Sequence, residues 1–174
     1  MPSKPLRADA RRNRARILAA AEEVFAAQGT AASTEEVAAA AGVAIGTVFR
    51  HFPTKRDLLG AILKDLLAEL AEKAREDDLF AFFTRVVTAA AEKKFVVEVL
   101  AGQGVEVEVA GAVGWLSGAV GELLDKARTA GQVRADVRLD EVLALLGAAG
   151  QGALTWPPDL RARTLEVIFA GLRG

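Results

Sequence analysis

The stretch from Ser33 to Lys55, STEEVAAAAGVAIGTVFRHFPTK, leaves the backbone few choices. Ser33 stands three residues before Glu36, the spacing at which each side chain satisfies an N–H left open at a helix start. Val37, Ala38 and Ala41 give the following helix a small apolar face. Gly42 falls where a helix needs a left-handed residue to stop, and Val43 can anchor the turn inward. A second helix opens near Ala44 and ends by Phe52, because Pro53 disfavours helix at the residue before it. Two short helices joined by a glycine-containing turn form a helix-turn-helix, here spanning about residues 33–52.

The second helix carries the chemistry. Val48 and Phe52 are four apart and face the domain core. Ile45, Gly46, Thr47, Phe49, Arg50 and His51 share its other faces. Small residues at the start allow close approach to a major groove, and Thr and Arg reach base edges or phosphates. The same spacing also suits an ordinary helical hairpin whose Arg and His are merely solvated.

Further residues favour the first reading. GVAIGTVFRHFPTKRDLL resembles the recognition helix and following turn of TetR-family transcriptional repressors. The matched positions are Gly42, Val43, Gly46, Thr47, Val48, His51, Phe52, Lys55, Leu58 and Leu59. RRNRARILAAAEEVFAAQG, Arg11 to Gly29, resembles that family's first helix, so the likeness covers about the first third of the chain. The chain departs from the family pattern at Ala44, where a capping Ser or Thr is usual, and at Phe49, where Tyr is usual. The first weakens the helix start by about 1 kcal/mol. The second removes a hydroxyl that typically bonds a phosphate in the family. The resemblance implies an all-α fold, with a three-helix DNA-binding head and a helical-bundle body for ligand binding and dimerisation. It places DNA contacts at Ser33, Thr34, Ala44, Ile45, Gly46, Thr47, Phe49, Arg50, His51 and Lys55. Thr47, His51 and Lys55 are assigned to phosphates; Ile45, Gly46 and Arg50 are assigned to base edges.

Charge divides along the same line. Residues 1–56 carry nine Lys and Arg against five Asp and Glu, and residues 57–174 carry thirteen against eighteen. A basic head on an acidic body suits an anionic partner for the head alone. We therefore expect a basic arm and DNA-binding domain over 1–56 and a ligand-binding, dimerising domain over 57–174. The chain has no Cys, which excludes a disulfide framework and zinc–thiolate sites. Residues 1–16 are polar and basic, unlike a signal peptide, and apolar runs stop short of a membrane span. A cytoplasmic protein with no cofactor or metal is expected.

Along the chain, Met1 to Asp9 reads as a disordered arm, either tracking DNA or merely solubilising. A first helix follows from Ala10 to Gln28, with Ile17, Leu18, Ala21, Val24 and Phe25 on one side. A stiff helix from Asp57 to about Glu76 leaves the head. Leu79 to Lys93 is helical, Phe95 to Leu100 is read as helix and Ala101 to Gly104 as loop. In the helix from Val105 to Ala130, Gly111, Gly114, Gly118 and Gly121 line one face. Each costs about 1 kcal/mol against Ala, so the stripe serves either close helix packing or open volume for a ligand. Two last helices, Leu139 to Thr155 and Pro158 to Leu172, are parted by Pro157-Pro158.

The body's aromatic content suits an apolar effector pocket. Phe83, Val87, Phe95, Trp115, Gly118, Gln151 and Trp156 are its candidate lining, with Thr84, Thr88, Gln103 and Thr155 as further polar groups. Leu165, Ile168, Phe169 and Leu172, with Val142 and Leu146, form stripes on the last two helices and are expected to make a homodimer interface. The function expected is a homodimeric repressor that binds a palindromic operator through the major groove and is released by an apolar small molecule. An enzyme fits poorly: the chain has one His, no Tyr and three Ser, and that His lies in the recognition helix. Glu106 and Glu108 are two apart, so on a helix they diverge. An architectural DNA protein without an effector is the remaining alternative.

Overall fold

The computed structural model describes residues 4–94 and 106–173, with side chains from Asp9 to Lys94 (Thr30 excepted) and from Gly114 to Arg173. These residues form eight α-helices and no strand. They divide into two compact units at Asp65–Leu66, inside the fourth helix rather than at its start. The expected helix from Phe95 to Leu100 and loop from Ala101 to Gly104, with Gln103, lie outside the described residues, as do the side chains of Glu106, Glu108 and Gly111's neighbours to Val113.

The first unit holds α1 (Lys4–Gln28), α2 (Thr34–Ala41), α3 (Ile45–His51) and the start of α4 (Lys55–Lys73). The helix α1 begins at Lys4, so the basic arm is largely its first turns rather than a coil. Ile17, Ala21, Phe25, Val37, Val48 and Leu58 are fully buried, and Leu18, Ala38, Ala41, Phe52, Leu59 and Ile62 nearly so. Large side chains buried in this way each contribute about 1.5–3 kcal/mol.

Caps fix where these helices begin and end. The Ser33 hydroxyl accepts from Glu36 N at 3.2 Å, while Ser33 N donates to Glu36 Oε2 at 2.9 Å. The backbone N–H of Ser33, then its hydroxyl and Gln28, hold the Glu36 carboxyl below its usual range. A depressed carboxylate contributes stability above its ordinary pKa and loses it as pH falls through the lowered value. Thr54 and Asp57 make an equivalent box at α4, with Thr54 N to Asp57 Oδ2 at 2.9 Å and Asp57 N to Thr54 Oγ1 at 3.1 Å. Gly42 stops α2 at φ +62°, ψ +40°. Its N–H bonds Ala39 O at 3.1 Å, and Val43 N bonds Ala38 O at 3.0 Å.

The second unit continues from Leu66 with α5 (Leu79–Glu92), α6 (Glu106–Thr129), α7 (Leu139–Ala153) and α8 (Pro158–Leu172). Asp78 caps α5 by accepting from Ala81 N at 2.8 Å. Asp77 pairs with Arg85 through bonds of 2.7 and 3.2 Å, which hold its carboxyl below the usual range. The core gathers Leu79, Phe82, Phe83 and Val87 of α5, Val120, Leu123 and Leu124 of α6, Val142, Leu146 and Ala149 of α7, and Leu165 and Leu172 of α8. Phe169 sets its ring edge-on to Phe80 at 5.0 Å and Phe83 at 5.5 Å. Arg134 N donates to Leu172 O at 3.0 Å, tying the loop after α6 to the end of α8.

The glycines on α6 do not act as one tight stripe. A Cβ on Gly114 or Gly118 meets no heavy atom of the described residues within 4 Å, and one on Gly121 meets Leu139 at 3.5 Å. The close approach lies elsewhere: a Cβ on Gly152 falls 2.2–2.4 Å from the Trp156 ring.

Two glycine replacements should therefore move stability in opposite directions. Gly42→Ala forces a left-handed Ala, costing about 1–2 kcal/mol, and sets its Cβ 3.0 Å from Arg16 Nη2. Gly118→Ala meets nothing among the described residues and should stabilise by up to about 1 kcal/mol. Denaturant melts of both variants check the signs, and a destabilising Gly118→Ala means that a tight neighbour covers that face.

Candidate nucleic-acid interface

A helix turns 100° per residue, so the burial pattern of α3 defines its faces. Val48 points into the core at 0% exposure. On the other side Ile45, Gly46, Phe49 and Arg50 are exposed, with Ile45 at 36% and Phe49 at 43%. Thr47 and His51 are half-buried at the flanks, and the His51 ring lies 6.3 Å from that of Phe52. The outward face thus holds the residues assigned to base edges and joins Phe49 to them. Arg50 has no hydrogen-bond or ion-pair partner among the described residues.

Other residues hold this face in place. Ala44 supplies no side-chain cap; Thr47 N bonds its carbonyl at 2.8 Å instead. Ser33 is committed to Glu36, and the Thr34 hydroxyl donates to Glu35 Oε2 at 3.3 Å. Both border the start of α2 as half-buried groups. Lys55, assigned to a phosphate, has partners within the chain. Its ammonium donates to Ala32 O at 2.6 Å and lies 5.3 Å from the Phe25 ring centroid. Its first role is to clamp the start of α4 to the end of α1.

Sequence reasoning missed two further cations with structural work. Arg16 Nη2 donates to Ala41 O at 2.6 Å, placing positive charge on the C-terminal end of α2, where the helix dipole favours it. Arg14 lies 5.5 Å from the Phe52 ring centroid and 3.8 Å from Asp65. The charge excess of the first unit therefore overstates the cations available to a partner. The spacing of Arg16 from Gly42, 26 residues along the chain, gives no sequence signal for the contact.

In the second unit the pocket candidates separate. Phe83 and Val87 are closed into the core at 1% and 0% exposure. Gln151 is exposed on α7, and Trp156 is half-buried against Gly152. Phe95 lies outside the described residues. Trp115 and Gly118 do meet, lining an open groove of about 480 Å³ with Ala71, Ala74, Arg75 and Gly114. Glu122 and Lys126 complete its rim. The Trp115 ring stands edge-on to Phe82 at 6.5 Å.

The dimer candidates divide by burial. Val142, Leu146, Leu165 and Leu172 are buried in their own chain, and Ile168 and Phe169 pack against the same core. A partner reaches the first four only by opening the unit, whereas Ile168 and Phe169 stay half-buried and keep part of their surface open. The outward stripes are different: Leu160, Thr164, Val167 and Gly171 on α8, and Ala144, Gly147, Ala148 and Gln151 on α7. Val167 is 69% exposed and Leu160 46%. A Cβ on Gly147 or Gly171 meets no described atom within 4 Å.

No helix among the described residues is long and apolar enough to cross a membrane, and none of their acidic, His or Cys side chains cluster as a metal site.

Comparison with known proteins agrees with this geometry at both ends of the chain. Residues 17–62 match the family described as bacterial regulatory proteins, tetR family. Residues 74–174 match the C-terminal domain described as transcriptional regulator SbtR-like. The chain resembles the crystal structure of a TetR transcription regulatory protein from Mycobacterium vanbaalenii, with a TM-score of 0.78 and 39% identity over 98% of this chain and 100% of that one. The TetR regulator SCO0520 from Streptomyces coelicolor is 30% identical over 92% of this chain and 98% of its own, with a TM-score of 0.73. A segment of 57 residues is 49% identical to the HTH-type transcriptional repressor Rv3405c of Mycobacterium tuberculosis, covering 32% of this chain and 30% of that repressor. The chain thus spans under a third of the length of the curated regulators it matches. An all-helical chain with a helix-turn-helix at one end and an SbtR-like body at the other, alike along its whole length to a TetR regulator, belongs to the TetR family of bacterial transcriptional regulators, a regulatory and not a catalytic family.

Proposed function

We propose that this protein is a cytoplasmic, homodimeric repressor that binds a palindromic operator and is released by an apolar small molecule. The outward face of α3 carries this reading. Ile45, Gly46, Phe49 and Arg50 project from a short helix set by the Gly42 turn before it and by Val48 in the core, and Arg50 lacks a partner within the described residues. Gly46 adds no side chain between its backbone and whatever lies above it. Thr47 and His51 flank the face and suit the adjacent phosphates; Ser33, Thr34, Ala44 and Lys55 border it. The repressor named among the relatives supports the sign of control.

One recognition helix contacts few base pairs, which favours two copies on half-sites about 34–36 Å apart or a multiple of that. The outer faces of α7 and α8 suit the contact between copies. Ala144, Gly147 and Ala148 are small enough for helices to approach closely, and Val167 and Leu160 supply the exposed apolar surface. The groove beside Trp115 suits the effector. Its volume lies within the range of small-molecule sites, about 300–1,000 Å³, and Ala71, Ala74 and Arg75 on its wall follow the C-terminal end of α4 or sit in it. A molecule held there acts on DNA binding only through unequal affinity for two arrangements of the heads, a coupling typically of about 1–3 kcal/mol.

Gly46→Ala separates folding from binding. Because the added methyl meets nothing among the described residues, it should raise the stability of the first unit by up to about 1 kcal/mol. It should also weaken operator binding at least several-fold. Melting curves and fluorescence anisotropy on the same preparation read both, and a stabilised variant with undiminished affinity takes this face off the DNA.

Val167→Glu places a charge on the proposed dimer face without touching the core, since the side chain is 69% exposed. Sedimentation should show a folded monomer with much-reduced operator affinity. A folded Val167→Glu protein that stays dimeric rules this face out.

A further inference from the structure

The exposed face of α3 sets two large apolar side chains beside Arg50. Every large apolar side chain in the described part of the first unit that is exposed lies on this helix: Ile45 and Phe49. They are four residues apart, so they stand one above the other on one face. Isolated apolar groups on a surface need no explanation. A neighbouring pair on a seven-residue helix, with Val48 already serving the core, does.

Neither side chain donates or accepts a hydrogen bond, so neither reads the polar atoms of a base edge. The major groove offers one apolar group, the C5 methyl of thymine. We infer that Ile45 and Phe49 form an apolar ridge that selects thymines by burying their methyl groups, while the adjacent Arg50 reads a neighbouring guanine. This rests on the proposed docking of α3 in the major groove and adds which bases it prefers. Four residues at about 1.5 Å each separate the two side chains by about 6 Å along the axis. Bases on one strand rise about 3.4 Å per step. The two methyls therefore lie one to two base-pair steps apart in each half-site.

The experiment begins with selection of bound sequences from random duplex DNA by the full-length protein. Each selected thymine is then replaced by uracil, which removes the methyl and leaves every base-pairing group in place. Two positions per half-site, one or two steps apart, should respond, each losing about fourfold in affinity, the equivalent of one buried methyl at about 0.8 kcal/mol. Phe49→Ala should abolish the response at one position and Ile45→Ala at the other. Both side chains are exposed, so cooperative melting of each variant confirms that it folds. Tight, selective binding that tolerates uracil everywhere overturns the thymine inference and leaves the DNA reading intact. A uracil response that persists in both variants also overturns it. Failure to enrich any sequence overturns both readings together.

Discussion

Gly42 holds a left-handed backbone at φ +62°, and Arg16 reaches from α1 to donate to Ala41 O at 2.6 Å just before it. These two features set the direction in which the chain leaves α2, and so fix which face α3 turns outward. The helix α3 has seven residues, too few to persist alone in water. Its orientation comes from outside: from the turn, from Val48 and Phe52 in the core, and from the box of Thr54 and Asp57 that starts α4. Arg16 neutralises open carbonyls at the end of α2, Arg14 covers the Phe52 ring, and Lys55 ties α4 to Ala32. Three cations of the first unit thus help to build the platform.

The motif from Ser33 to Lys55 was readable in sequence because its determinants are local. A capping box, a left-handed stop and a Pro-limited end each act over three to five residues. The starts of α5, α7 and α8 were legible for the same reason, as was the apolar side of α1. Local rules are silent on partners distant in sequence. Nothing at Lys55 signals that its ammonium lies against Ala32 and Phe25, because the contact exists only once α1 and α4 have packed.

The last two helices show a different limit. Leu165, Ile168, Phe169 and Leu172 repeat at helical spacing, and that periodicity correctly marks a buried face. It does not say whether the covering surface is the same chain or a second copy. Here Phe80 and Phe83 cover one side of the Phe169 ring from within the chain, since both meet it edge-on. The outward face of these helices is made of Ala, Gly, Thr, Gln and two larger apolar residues, a composition with little hydrophobic amplitude. Small residues that allow close approach are the least visible in a sequence. Gly152 makes the same point inside the unit: its missing Cβ leaves room for the Trp156 ring, yet it reads in sequence as one glycine among several.

The glycines of α6 link this limit to the question of an effector. Their spacing allowed two uses, close packing or open volume, and the choice depends on what stands opposite. At Gly121 the neighbour is Leu139, in ordinary contact. At Gly114 and Gly118 the described residues leave space, and Trp115 stands between them on the wall of a groove. A helix that bears the propensity cost of two glycines without gaining contact area among the described residues leaves volume beside them. DNA presents the same phosphates and base edges to every recognition helix, so its reader is written in a short and repeated vocabulary. An effector groove is defined by the volume its walls leave empty, and residues far apart in the chain define that volume together. The head is therefore legible from one stretch of sequence, whereas the groove beside Trp115 becomes visible only in the assembled unit.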